Sequence, residues 1–166
     1  MKFTEVFNGS RLKHVFDLVE QSGTVSEAIE ECETAWVGGI VDFGDKMAAT
    51  VVQRVPEYEA YAHVLRGAVR LEIGFPLNVY RLWDVDHLDD WKVSGHSENV
   101  AVSLDQQIAK SFLKFAKASK TPQVVATMVI RNPDAIVMRG KLEEMELVID
   151  LGWVDTADVI VSHAAR

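Results

Sequence analysis

The feature that most constrains the fold is a change in hydrophobic periodicity near Gly74. Before this point apolar residues recur at helical spacing, as in residues 11–20 and 57–71. After it they stand in short runs typical of strands, such as residues 77–83 and 123–130. A chain that places its helices before most of its strands is expected to fold as an α+β protein.

Four helices are predicted in the first part of the chain. Thr24 and Glu27 form the pattern of a capping box, in which side chains satisfy the free N–H groups at a helix start. A helix is therefore expected to begin there, and the Gly38-Gly39 pair predicts a turn that ends it. The other predicted helices span residues 11–20, 45–54 and 57–71.

The second part of the chain is expected to be mainly β, with one inserted helix. Asp105 is placed to cap that helix, which is predicted to run to about residue 119. Its predicted inward-facing residues are Ile108, Ala109, Phe112, Phe115 and Ala116. The predicted strands are residues 77–83, 100–104, 123–130, 134–138, 142–151 and 157–161. The polar segment 84–98 is predicted to be a loop.

No repeat, low-complexity segment or long linker divides the sequence. Residues 1–166 are therefore expected to form a single domain, in which residues 1–75 are mainly helical and residues 76–166 are mainly β. A chain of 166 residues is long enough to bury one sizeable core.

The charge balance disfavours two classes of partner. Lys plus Arg number 17 against 25 Asp plus Glu, a formal charge of −8, so nucleic acid and anionic membrane surfaces are not expected to bind. No secretory signal is recognised, and no apolar run approaches the ~20 residues that cross a bilayer. The single cysteine, Cys32, excludes an internal disulfide framework, and a cytoplasmic location is expected.

The sequence Glu144-Met145-Glu146 falls in the predicted strand 142–151. Alternate residues of a strand share a face, so the two carboxylates are expected to point the same way, about 7 Å apart. Such a pair suits acid and base catalysis or the stabilisation of a cationic sugar intermediate. The acidic, solvated face of an amphipathic strand is the alternative interpretation.

Arg81 and Ser103 are two further candidates for binding a ligand. Arg81 interrupts an apolar strand, where its burial costs free energy unless an anion such as a diphosphate, or a carboxylate partner, meets it. Ser103 ends a predicted strand before the inserted helix, where it can orient a ligand or simply cap the helix.

These three pieces, in this order, resemble the ADP-ribosyltransferase family of the arginine–serine–glutamate class. That family shows V-Y-R on an early strand, then a strand ending Ser-Thr-Ser and often continued as S-L-D-x-x-x-A-x-x-F-A, and finally an acidic strand Glu-x-Glu. The corresponding residues here are Val79-Tyr80-Arg81, then Ala101 to Asp105 with Ala109 and Phe112, and Glu144-Met145-Glu146. The resemblance covers about residues 77–150, and the small size of the chain suggests the phage-encoded or toxin-like members.

The resemblance implies N-terminal helices packed on an ADP-ribosyltransferase-like β core and a mono-ADP-ribosyltransferase that uses NAD⁺ as its substrate. Arg81 is then expected to hold the NAD⁺ phosphates or the nicotinamide-side ribose, and Ser103 to order the site. Glu146 is the expected catalytic glutamate, and Glu144 is expected to activate an acceptor, with arginine on a host or target protein as the expected acceptor. A phage-encoded protein would act in the cytoplasm of its host.

The family's nicotinamide-stacking aromatic residue has three candidates, Tyr80, Trp83 and Phe112, and all three could equally belong to the core. The family's first serine and threonine are replaced by Ala101 and Val102. Ser97 or Ser94 could take over from the missing serine. The replacement also supports a second hypothesis, a non-catalytic protein-interaction module on the same fold.

The segment 84–98 also carries four aspartates and two histidines, Asp84, Asp86, His87, Asp89, Asp90 and His96. Their spacing matches neither an EF-hand nor a zinc site, so no metal is expected. Glycoside hydrolysis by Glu144 and Glu146 is a third hypothesis, which fits less well because such enzymes place their two carboxylates on opposite sides of the bond.

Overall fold

The computed structural model describes residues 24–43, 45–116, 122–141 and 144–164 and shows helices packed against an antiparallel sheet. The helices are α1 (Thr24–Phe43), α2 (Asp45–Gln53), α3 (Tyr58–Glu72), α4 (Val85–Ser94), α5 (Gln106–Ser111) and α6 (Leu113–Ala116). The strands are β1 (Leu77–Asp84), β2 (Asn99–Ser103), β3 (Gln123–Ile130), β4 (Ile136–Arg139), β5 (Glu146–Asp150) and β6 (Val159–Ala164). Short 3₁₀ turns span Pro133–Ala135, Leu151–Trp153 and Thr156–Asp158. The α+β expectation is confirmed, and the predicted helix 11–20 lies outside the described residues.

The sheet has the strand order β4-β5-β2-β1-β3-β6, and each strand is antiparallel to its neighbours. β1 pairs with β3 along its whole length, from Leu77 opposite Ile130 to Asp84 opposite Gln123. Since side chains alternate along a strand, Leu77, Val79 and Trp83 all turn into the core.

The helices α1 to α3 cover one part of the sheet, where the buried side chains of α3 join the core of β1 and β4. The Tyr58 hydroxyl donates a buried hydrogen bond of 2.7 Å to the Val137 carbonyl, which ties α3 to β4. Arg139 of β4 in turn bonds Glu33 of α1 and lies 4.4 Å from the ring centre of Trp36. The helical part and the sheet therefore share one core.

The turn predicted at Gly38-Gly39 is wrong, because α1 continues through both residues to Phe43. A Cβ atom built on Gly39 would lie 2.8 Å from the Ala48 Cα, so a glycine there lets α2 approach α1 closely. Gly39 therefore marks tight helix packing rather than a helix end.

The loop predicted over residues 84–98 is also wrong, because residues 85–94 form α4. The Asp84 side chain caps this helix by accepting hydrogen bonds from the backbone N–H groups of Asp86 and His87. Gly95 ends it in the left-handed conformation with a φ of 61°. Leu88 and Trp91, three residues apart, supply its buried face.

The helix predicted from Asp105 to about residue 119 is interrupted. Asp105 caps α5 as expected, accepting a 2.8 Å hydrogen bond from the Gln107 N–H. Phe112 then lies between α5 and α6, and its N–H bonds the Ala109 carbonyl three residues back. Ala109 is buried and Phe112 is half-buried. Residues 117–121 and the side chains of Phe115 and Ala116 lie outside the description.

The strand predicted over residues 123–130 is confirmed to the residue. Two later strands begin after a 3₁₀ turn, so they start two residues beyond the predicted positions, at Ile136 and Val159. β5 begins only at Glu146, four residues after its predicted start.

Among the described residues no helix is long and apolar enough to cross a membrane.

Candidate functional site

A cleft of about 190 Å³ lies between β1 and β2. In the described chain these two strands share a single registered pair, Tyr80 opposite Ser103, and they diverge beyond it. The cleft is lined by Tyr80, Arg81, Leu82, Ala101, Val102, Ser103, Ala109, Phe112, Glu144 and Glu146. The partial separation of two neighbouring strands thus creates a cavity within an otherwise continuous sheet.

The strand register brings three polar residues into one row. Tyr80 of β1 lies opposite Ser103 of β2, and Ser103 lies opposite Glu146 of β5. Directly opposed residues of an antiparallel pair project from the same face, with Cβ atoms about 5 Å apart. Tyr80, Ser103 and Glu146 are therefore neighbours on the cleft side of the sheet.

Arg81 reaches the cleft in a different way. As the residue after Tyr80 it starts from the opposite face of β1, between the core residues Val79 and Trp83. Its Nη1 extends toward β2 and donates a 2.8 Å hydrogen bond to the Ala101 carbonyl. The guanidinium thus occupies the gap that a fully paired β2 would close.

The surroundings of the Arg81 guanidinium are unusual for a cation. Its Nε is buried and has no hydrogen-bond partner among the described residues. Burial lowers the pKa of Arg81, and the negative charges of Glu98 and then Glu146 oppose that effect. A guanidinium at this depth needs fixed negative charge nearby to remain stable.

Ser103 forms two hydrogen bonds within the wall of the cleft. Its side chain is only 6% exposed, and its hydroxyl donates a 2.9 Å hydrogen bond to the Glu144 carbonyl. The same oxygen accepts a 3.1 Å hydrogen bond from the Asp105 N–H. Ser103 therefore joins the end of β2, the start of α5 and the segment that leads into β5.

The prediction that Glu144 and Glu146 share one face of a strand is wrong. Met145 has a φ of 49°, in the left-handed region that extended strands exclude, so the chain turns there before β5 begins. The Met145 carbonyl accepts a hydrogen bond from the Leu104 N–H at 3.0 Å, which fixes this turn against β2. Both carboxylates nevertheless line the cleft, Glu144 from the turn and Glu146 from the strand.

Glu146 sits against the backbone of residues 140 and 141. Its side chain is 7% exposed, and its Oε1 accepts a 3.3 Å hydrogen bond from the Lys141 N–H. The Glu146 carbonyl also accepts a 2.7 Å bond from the Gly140 N–H. A Cβ atom on Gly140 would collide with the Glu146 side chain, so any larger residue here would displace that side chain. Sequence reasoning missed Gly140, although a lone glycine between two predicted strands was the available signal.

Of the three candidate aromatic residues, Tyr80 and Phe112 line the cleft and Trp83 does not. Trp83 is 1% exposed and stacks on Trp91 of α4, with ring centres 5.7 Å apart. The interpretation of Trp83 as a residue that stacks on a ligand is therefore wrong, because its ring is enclosed in the core. It lies two residues after Arg81 and so shares the core face of β1.

A second group of polar residues, His87, His96 and Glu98, lies beside the cleft. The sequence did not predict that these three residues contact one another. His87 of α4 and His96, which follows that helix, both place Nε2 against the same Glu98 oxygen, at 2.9 and 3.2 Å. Within the described residues no set of three or more His, Cys, Asp or Glu side chains is arranged to hold a metal ion. The short separations of the imidazoles from Glu98 are direct hydrogen bonds.

Comparison of the chain with protein-family models, with curated protein sequences and with solved structures finds no match.

Proposed function

We propose that the chain is a mono-ADP-ribosyltransferase that binds NAD⁺ in the cleft between β1 and β2. ADP-ribose would pass to a side chain of a target protein, with arginine the expected acceptor. The observation that carries the proposal is that Arg81, Ser103, Glu144 and Glu146, which come from separate segments of the chain, line one cavity.

The positive charge of Arg81 and the negative charge of Glu146 suit the groups of NAD⁺ that lie near the bond to be broken. A guanidinium can pair with diphosphate or ribose oxygens, since its donors match oxyanions in pairs. A buried carboxylate beside the ribose can bind the 2′-hydroxyl and stabilise the positive charge that develops on C1′. Arg81 is assigned the first role and Glu146 the second, while Ser103 fixes the backbone that carries Glu144.

The transfer itself breaks one bond and forms one. The bond from ribose C1′ to the nicotinamide nitrogen breaks, and nicotinamide leaves with the electron pair. An acceptor nitrogen then bonds C1′ and releases its proton, for which Glu144 is the available base at the cleft. Water can replace the acceptor, which predicts slow hydrolysis of NAD⁺ in its absence.

The size of the cleft determines how NAD⁺ would lie. Its volume of about 190 Å³ is smaller than the roughly 300 Å³ at which pockets for drug-sized ligands begin. The cleft suits the nicotinamide ring and its ribose, with Tyr80 and Phe112 as the aromatic surfaces available to the ring. The remainder of the dinucleotide would then extend outside.

The proposal is tested by incubating the purified protein with tagged NAD⁺ and bacterial lysate. Glu146→Gln keeps the size of the side chain but removes its charge, and labelled bands are expected to disappear. Glu59→Gln, an exposed position on α3, is the matched control and should label like the wild type. Equal labelling by wild type and Glu146→Gln would remove Glu146 from the catalytic role.

A second candidate function is favoured by one specific observation. The Ser103 hydroxyl is used on both sides within the protein, and Ala101 and Val102 offer no hydroxyl in place of the family's serine and threonine. This arrangement also suits a protein-interaction module that has the cleft but performs no chemistry. Such a module would label no target and hydrolyse no NAD⁺ while remaining folded.

A further inference from the structure

Glu98 is held in one orientation by two imidazoles. Its side chain is 11% exposed, and the Nε2 atoms of His87 and His96 lie 2.9 and 3.2 Å from its Oε2. Its backbone carbonyl accepts a 2.9 Å hydrogen bond from the Leu151 N–H just beyond β5. We call His87, Glu98 and His96 the His–Glu–His cluster. Because hydrogen bonds hold both the backbone and the side chain of Glu98, its carboxylate has little freedom to rotate.

The His–Glu–His cluster adjoins Arg81 through one aromatic ring. The Arg81 guanidinium carbon lies 5.6 Å from the centre of the Trp83 ring. The imidazole of His87 meets the same ring edge-on, at 5.7 Å between centres and an angle of 81°. Trp83 thus contacts both the Arg81 guanidinium and the imidazole that bonds Glu98.

The Nε2 atoms of both imidazoles lie against the same oxygen of the Glu98 carboxylate. His96 Nδ1 lies within hydrogen-bond distance of the Ser94 hydroxyl, so a neutral ring can accept there and donate through Nε2 to Glu98. Neutral imidazoles orient a carboxylate without cancelling its negative charge. Of the two carboxylates that favour the charged form of Arg81, Glu98 has the larger influence and Glu146 the smaller.

We propose that Glu98 is a positioning residue whose carboxylate, held by His87 and His96, supplies the fixed negative charge that keeps the Arg81 guanidinium at the cleft. Glu98 itself does not line the cleft, so it acts through Arg81. Its effect on ligand affinity rests on the proposed function, whereas its effect on the placement of Arg81 does not.

The test compares two variants of Glu98 that separate charge from shape. Glu98→Gln keeps the length of the side chain and an oxygen that can accept from both imidazoles, but it loses the charge. Glu98→Asp keeps the charge on a shorter side chain. Glu59→Gln is the surface control, and circular dichroism confirms that each variant is folded.

The first measurement needs no ligand. The ¹⁵N-labelled Arg81 side chain is observed by NMR, with its Nε–H signal assigned by its loss in Arg81→Lys. Because this N–H is buried, its exchange with water is expected to be slow in the wild type. Glu98→Gln should speed the exchange by about tenfold or more, whereas Glu98→Asp should restore much of the protection. Equal exchange in wild type and Glu98→Gln would overturn the proposal.

The second measurement is the dissociation constant for NAD⁺ in the same variants. Glu98→Gln is expected to weaken binding by about tenfold, and Glu98→Asp by less. Faster exchange in Glu98→Gln without NAD⁺ binding by any variant would support the positioning role and reject the proposed function. If Glu98→Asp is as impaired as Glu98→Gln in both measurements, the role of Glu98 is not its charge and the inference fails.

Discussion

The two edges of β1 differ in how completely they are paired. Toward β3 the strand is paired along its whole length, and the opposing residues Ala126, Met128 and Ile130 are buried apolar side chains. Toward β2 it keeps one registered pair, and the space that opens is lined by Arg81 and two glutamates. One edge of β1 is therefore paired within the core, and the other edge forms a wall of the cleft.

The two edges therefore contribute differently to stability. The β3 edge buries apolar area and completes its backbone hydrogen bonds, both of which favour folding. The cleft edge contains a guanidinium whose buried Nε has no partner within the described chain, which costs stability. Such costs are typical of sites kept for function. Substitutions on the two edges should therefore produce opposite patterns of effects.

The largest effect is expected on the cleft edge. Glu146→Gln should lower the rate of NAD⁺ hydrolysis or transfer by about 100- to 1000-fold, because a carboxylate that stabilises the transition state is lost. The melting temperature should stay close to that of the wild type, since the substitution preserves size. A folded Glu146→Gln variant with an unchanged rate would contradict this assignment.

The converse is expected on the β3 edge. Met128 is fully buried opposite Val79, so Met128→Ala should lower the free energy of unfolding by about 2–5 kcal/mol through lost burial and a cavity. Urea denaturation measures this loss. The dissociation constant for NAD⁺ per folded molecule should not change, and a selective loss of NAD⁺ binding would show that the two edges are not separate.

An intermediate effect is expected beneath the cleft. Gly140→Ala would place a Cβ 2.4 Å from the Glu146 Cγ, so the carboxylate must shift and the transfer rate should fall about tenfold. Gly38→Ala is the control, because nothing lies within 4 Å of its Cβ position in α1. That change should raise the free energy of unfolding by about 0.5–1 kcal/mol and leave the rate unchanged. Equal rates in both variants would show that Gly140 does not support Glu146.

The smallest effect concerns the helical part of the core and its response to alkali. Burial, followed by the charges of Glu57, Glu33 and Glu31, raises the pKa of the Cys32 thiol from 9.0 to about 11. Because the unfolded thiol ionises at lower pH than the folded one, its contribution to stability is full below pH 9.0 and declines as the pH rises toward about 11.

Urea midpoints measured below pH 9.0 and near pH 11 should therefore fall less in Cys32→Ala than in the wild type. Tyr58 and Tyr61, whose pKa values are also raised by burial, remain in both proteins and cancel from the comparison. Identical declines in the two proteins would show that the buried thiol does not contribute.

The sequence was a good guide wherever one periodic pattern dominated. The apolar run 123–130 predicts β3 to the residue, and Asp105 predicts the start of α5. It was a poor guide where a single backbone conformation decided the outcome. The left-handed Met145 separates Glu144 from β5, and no propensity favours that conformation at methionine. Helix α4 was missed because its buried face consists of only two residues, Leu88 and Trp91.

The candidate site was predictable in its membership more than in its geometry. The family resemblance implied that Arg81, Ser103 and Glu146 meet in one cleft, and the register places Ser103 beside Glu146. That β1 and β2 would diverge, so that Arg81 could reach the cleft from the opposite face, is a long-range feature. Local sequence does not encode it, because strand pairing depends on the whole sheet.

NAD⁺ binding by the cleft is tested most directly by a calorimetric titration of the wild type and Arg81→Lys with NAD⁺. Lysine keeps the positive charge but lacks the planar fork that binds oxyanions in pairs. We expect saturable binding of NAD⁺ at one site by the wild type, weakened about tenfold or more in Arg81→Lys. Absence of binding by the folded wild type, or equal affinity in the two proteins, would contradict the claim that this cleft binds NAD⁺.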